Sequence, residues 1–270
     1  GGKGAKGGAT RDEDFIEHIF IASTHDTMLF FSQMGKCFWL PVYQIPEGTR
    51  TSKGRAIQNM ISLPPDDKIM AYIDIHDLED EAFINEHYLV FCTKKGTIKK
   101  TTVEAFSRPR ANGIVAINIA EGDELLAVRL TNGNCEVMMA VKSGRAIRFP
   151  EEKVRPMGRT ATGVIGIELA DDQDEVVGMI TVEKGDKEKT VLVVSENGYG
   201  KRSQLVDQET GEQEYRITNR GGKGVSTIKI TPKTGALITI RDVTDKDDLM
   251  IICESGMAIR MGVEDLRVMG

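Results

Sequence analysis

Read for the spacing of its apolar residues, the chain has no long segment with a helical period. Short apolar runs rich in Val, Ile, Leu and Phe alternate instead with turn-forming residues, the pattern of an all-β protein. One composite element recurs: an apolar run, a turn ending in Gly, and a second strand. Its copies are LFFSQMGKCFW around Gly35, LVFCTKKGTIKK around Gly96, VMMAVKSGRAIR around Gly144, VLVVSENGYGKR around Gly198 and LMIICESGMAIR around Gly256. Glycine at the turn supplies the positive φ that a tight hairpin needs, and the flanking residues suit strands.

Two further elements keep step with the hairpins. Gly54, Gly113, Gly163 and Gly224 are each closely preceded by Arg or Lys and followed by a short strand, as in IVAINI, VIGIEL and VSTIKI. Each unit opens on another apolar run, preceded by acids in DDKIMAYIDI, GDELLAVRL and DDQDEVVGMITV but not in GALITIRDV. Four strands in roughly 50 to 60 residues match the blades of a propeller-like ring. The repeats are placed at about 12–65, 66–120, 121–170, 171–230 and 231–270, after an arm at 1–11. The whole of 1–270 is expected to form a single domain, as all-β rings of this length do. Residues 207–216 read as an exposed insertion in the fourth unit. The fifth unit stops after its hairpin and the chain opens without one, so the sequence is expected to be cut from a longer ring.

Charge changes the picture through its placement. The net charge of -6, from 35 basic and 41 acidic residues, taken alone argues mildly against a nucleic-acid partner. Acids gather between units, at Asp66 and Asp67, at Asp123 and Glu124, and at Asp171, Asp172 and Asp174, whereas bases follow the hairpin glycines or precede the second glycines. In stacked repeats, equivalent positions form a stripe. The candidates are Arg50, Lys53 and Arg55; Lys99, Lys100, Arg108 and Arg110; Arg145, Arg148, Arg155 and Arg159; Lys201, Arg202, Arg216, Arg220 and Lys223; and Arg260 and Arg267. The fourth residue after each hairpin glycine is Trp39, Lys100, Arg148, Arg202 and Arg260, basic in all but the first. Such a stripe can track a phosphate backbone without reading sequence, while the acids confine duplex DNA to one path. The competing reading, bases that merely solvate strand ends, stays open for any single residue.

Two glycine-rich basic segments suit phosphate contact, because backbone N–H groups there approach an anion with no Cβ in the way. They are GGKGAKGG at the start, with Gly1, Gly2, Lys3, Gly4 and Lys6, and NRGGKG at 219–224. Neither is a Walker A loop or a dinucleotide fingerprint. Cys37, Cys92, Cys135 and Cys253 lie far apart in apolar runs and read as buried thiols. His18, His25, His76 and His87 lack metal-ligand spacing. No cofactor, metal site or catalytic set is expected, and no apolar stretch is long enough to cross a bilayer as a helix, so the chain reads as cytoplasmic.

The chain resembles the C-terminal domain family of bacterial DNA gyrase A. Residues 1–4, GGKG, are similar to the end of that family's signature heptapeptide, QRRGGKG, the GyrA box. DEDFIEHIFIASTHDTMLFFSQMGKCFWLPVYQIPEGTR, ATGVIGIEL and NGYGKRS also resemble the family, so the likeness runs from end to end. The resemblance implies a six-bladed β-pinwheel, one blade incomplete here, that wraps duplex DNA on a basic outer rim. It also implies partnership with the rest of gyrase A and with gyrase B in a heterotetramer. The catalytic tyrosine, ATP and Mg would belong to other parts of that enzyme, a type II topoisomerase. Two alternatives stand beside it: the corresponding domain of topoisomerase IV, which typically lacks an intact box, and a protein-interaction propeller.

Overall fold

A computed structural model describes residues 25–44, 60–252 and 258–262. Seventeen strands follow in order: β1 (Thr27–Ser32), β2 (Lys36–Pro41), β3 (Ile69–Ile75), β4 (Tyr88–Thr93), β5 (Thr97–Thr102), β6 (Ile114–Val115), β7 (Leu125–Thr131), β8 (Cys135–Val141), β9 (Arg145–Pro150), β10 (Val164–Ile165), β11 (Val176–Glu183), β12 (Thr190–Ser195), β13 (Gly200–Gln204), β14 (Val225–Ser226), β15 (Leu237–Val243), β16 (Asp248–Ile252) and β17 (Ala258–Gly262). The five expected hairpins are β1–β2, β4–β5, β8–β9, β12–β13 and β16–β17. Helix α1 (Glu81–Glu86), which the strand pattern did not predict, is capped by Asp80 accepting from the Phe83 N–H. That is the N-cap chemistry expected of aspartate.

The sheet orders are β3-β1-β2-β6, β10-β5-β4-β7, β11-β8-β9-β14, β13-β12-β15 and β16-β17. The repeat boundaries read from the sequence therefore do not coincide with sheets. The strand that opens a unit pairs with the preceding hairpin, as β3 does with β1. The short strand that closes a unit also returns to the preceding hairpin: β6 pairs with β2, β10 with β5 and β14 with β9. Each lent strand is fastened at the hairpin turn, where the N–H groups of Ala116, Gly166 and Thr227 donate to the carbonyls of Gly35, Gly96 and Gly144.

The apolar runs of the first four hairpins are continuous because both faces of these hairpins are buried, with alternate residues serving opposite neighbours. Leu89 and Phe91 pack with Leu29 and Phe31 of the first sheet, whereas Val90 and Cys92 pack with Val137 and Met139 of the third. Met138 and Ala140 face the fourth sheet through Val191 and Val193. The Phe31 and Phe91 rings meet edge to face at 5.4 Å. Strands β3, β7, β11 and β15 approach one another from sheet to sheet and form the inner edge. The lent strands β6, β10 and β14 therefore lie on the outer edge. Cys37, Cys92 and Cys135 are buried and free, and burial raises all three thiols, Cys135 to about 11.

Candidate nucleic-acid interface

Among the described side chains, the fourth residues after the hairpin glycines do not form a surface stripe. Lys100, Arg148 and Arg202 are 4–5% exposed, and Lys99 is fully buried. On strands buried on both faces, a long basic side chain points into a junction between sheets, and its charge must find partners there. The Lys100 ammonium meets the Glu151 carboxylate at 3.4 Å and the Glu151 carbonyl at 3.3 Å, and lies 4.7 Å from the centre of the Tyr88 ring. Arg148 binds Glu136 at 2.5 Å and donates to the carbonyls of Leu205 and Tyr215. Arg202 donates to Thr190 Oγ1 and to Asp245. At the same position Trp39 donates its indole N–H to the Phe106 carbonyl at 2.9 Å. What the position supplies is thus a long N–H donor that reaches the chain leaving the next hairpin. Phe106, Glu151 and Leu205 offer successive carbonyls for it, which explains why tryptophan serves as well as a base.

Lys99 points the other way, toward the preceding sheet. Its ammonium donates to the carbonyls of Ala116 and Arg159 and lies 4.9 Å from the centre of the Phe91 ring. Burial, reinforced by the Arg159 guanidinium, pushes this amine down to about 7. These four side chains are buried and committed to internal partners, which contradicts their assignment to a surface DNA contact. Lys201 is half-buried on β13, opposite Val193. Arg260 pairs with Met250 through the backbone of β17, and its side chain lies outside the described residues. Gly1, Gly2, Lys3, Gly4, Lys6, Arg50, Lys53, Arg55 and Arg267 also fall outside them.

The acids have a structural role that their sequence phase did not announce. Asp67, Asp123 and Asp174 accept hydrogen bonds from the N–H of Met34, Lys95 and Ser143, each the residue before a hairpin glycine. At the fourth hairpin, whose partner segment lacks acids, the Asn197 N–H turns to the Thr234 carbonyl instead. The repeated aspartates hold the turns.

Surface charge collects on the loops that cross to the outer edge. Arg108, Arg110, Arg155, Arg216 and Lys223 are exposed. Of these, Arg108 is paired with Glu104 at 2.6 Å, and the other four have no acid partner among the described residues. Three more arginines are anchored on neutral carbonyls: Arg145 on Lys223 and Gly224, Arg159 on Val115, and Arg220 on Lys153 and Ile165. A carbonyl orients a guanidinium without cancelling its charge, so these planar groups keep donors for a phosphate. Around NRGGKG, Arg148, Arg216, Arg220 and Lys223 border a cavity of about 320 Å³. The turn there, at φ +73, requires glycine at position 224, because a Cβ would stand 2.1 Å from the Ala146 carbonyl oxygen.

A sequence profile described as "DNA gyrase C-terminal domain, beta-propeller" matches residues 26–71, 87–132, 136–183, 189–244 and 247–270. The chain belongs to this DNA gyrase C-terminal domain family. Residues 72–86, which carry α1, fall between matched segments. Among curated proteins, the DNA gyrase A protein of Staphylococcus epidermidis is 45% identical over 266 residues, 98% of this chain and 28% of that protein. Its counterpart from Staphylococcus aureus is 44% identical over the same shares. The chain thus spans about 28% of the length of these relatives. Among solved structures, the C-terminal domain of DNA topoisomerase IV has a TM-score of 0.78 at 25% identity, covering 91% of this chain and 72% of that one. The DNA gyrase A C-terminal domain has a TM-score of 0.73 at 24% identity, covering 92% and 76%. The all-β ring of four-stranded antiparallel sheets is the gyrase-family propeller or pinwheel, and the curated relatives favour gyrase A over topoisomerase IV.

Proposed function

We propose that this gyrase C-terminal domain wraps duplex DNA on its outer edge and contributes no bond-making chemistry of its own. The observation that carries the reading is the row of unneutralised guanidiniums and ammoniums on successive crossing loops: Arg110, then Arg155 and Arg159, then Arg216, Arg220 and Lys223. A repeated fold presents them at repeated intervals, which suits the regular spacing of phosphates along a bent duplex. From the sequence alone, the same role is assigned to Gly1, Gly2, Lys3, Gly4, Lys6, Arg50, Lys53 and Arg55, which lie outside the described residues. In a complete gyrase, where gyrase B and the rest of gyrase A form a heterotetramer, the wrap presents a neighbouring segment of the same DNA for passage. Passage then changes linking number in one direction. The cleaving tyrosine, ATP and Mg belong to other parts of that bacterial cytoplasmic enzyme.

The test ligates nicked circular DNA in the presence of the chain and reads the linking-number shift. Replacing Arg110, Arg155 and Arg216 together by Ala lowers the salt dependence of binding by about 0.9 for each phosphate contact removed. A parent chain that leaves linking number unchanged would sink wrapping.

A further inference from the structure

The lent strands carry a second repeated feature. In β6, β10 and β14 the first residue, Ile114, Val164 or Val225, is half-buried, and the second faces outward. Those outward residues are Val115, 41% exposed, Ile165, 63% exposed, and Ser226. Single exposed aliphatics are ordinary. Aliphatics at the same register position of successive sheets, on an outermost strand, are not, because exposed edges are usually guarded by charge or proline. Each also stands beside a fixed cation. Arg159 donates to the Val115 carbonyl at 2.8 Å, and Arg220 to the Ile165 carbonyl at 3.0 Å.

An aliphatic side chain next to an anchored guanidinium complements a DNA strand, in which each deoxyribose adjoins a phosphate. Resting on the reading of this edge as the DNA path, we infer that Val115 and Ile165 pack against deoxyribose along the groove facing the ring. The adjacent arginines take the flanking phosphates. Both side chains are short and β-branched, and they reach the sugars without entering between bases, unlike the wedges of proteins that kink DNA. Apolar contact buries surface and releases no counterions. Its loss therefore weakens binding equally at all salt concentrations.

The test compares the 270-residue chain with its Val115→Ser/Ile165→Ser variant, titrating duplex DNA at several salt concentrations. The variant is expected to bind about tenfold more weakly, with an unchanged salt slope and an unchanged melting temperature. Ser226→Ile, which places an aliphatic at the third equivalent position, is expected to strengthen binding about threefold. Unchanged affinity in both variants, with the parent binding normally, would overturn the sugar contact and leave wrapping intact. A fluorescent adenine analogue in the duplex that brightens on binding would also overturn it, by showing unstacked bases. Failure of the parent itself to bind would defeat the DNA path instead.

Discussion

Lys99→Met isolates the buried amine between the first and second sheets. In the folded chain that amine titrates near 7, against an ordinary 10.5. Between these values the unfolded chain holds a proton that the folded chain has released, so unfolding takes one up and becomes harder as pH rises. Starting from pH 7, where half the folded amines are still charged, the gain is about 1 kcal/mol at pH 8 and about 1.6 kcal/mol at pH 8.5. Well below pH 7 the group is protonated in both states and adds no slope. Methionine keeps the reach of the side chain and removes the titration. Denaturant unfolding of both chains, followed by circular dichroism from pH 7 to 8.5, gives the comparison. Relative to the variant, the parent should gain about 1.6 kcal/mol over that range. The buried thiols are present in both chains, so their own titration cancels. Parallel stability curves would refute the claim that burial depresses this amine.

Arg148→Met strands the buried Glu136 carboxylate and two carbonyls and should cost about 3–5 kcal/mol. Arg216→Ala, on the exposed loop, should stay within about 0.5 kcal/mol; thermal melts of the pair distinguish internal from surface bases. Trp39→Phe removes one N–H donor to Phe106 and should cost about 1 kcal/mol in denaturant unfolding. Gly224→Ala forces a Cβ against the Ala146 carbonyl at positive φ and should cost more than about 2 kcal/mol. Limited proteolysis between residues 205 and 226 should then accelerate.

The hairpins were legible because their cause is local: apolar runs around a glycine turn fix β1–β2 through β16–β17 without reference to the rest of the chain. The membership of β3 and β6 was not, since a short strand looks the same whether it closes its own sheet or its neighbour's. The charges divide in the same way. Arg155, Arg216 and Lys223 lie on loops, where polar side chains face solvent. Lys100 and Arg148 lie on strands whose two faces are both covered, and there alternation cannot reveal an outward side. Trp39 was the visible clue. Its presence among bases pointed to a requirement for a donor rather than for charge, and only the Phe106 carbonyl made that readable.

The lending of β6, β10 and β14 to preceding hairpins also sets an order of events during synthesis. When a hairpin leaves the ribosome its sheet is still two strands short, and the last of these arrives only after the following hairpin has emerged. Maturation must therefore trail translation by one repeat. Excising a single repeat from the middle would take away the two strands lent to the preceding hairpin and leave that hairpin to the equivalent strands of the following repeat, whose side chains pack with a different one, so whole-repeat deletion is not a neutral way to shorten this ring.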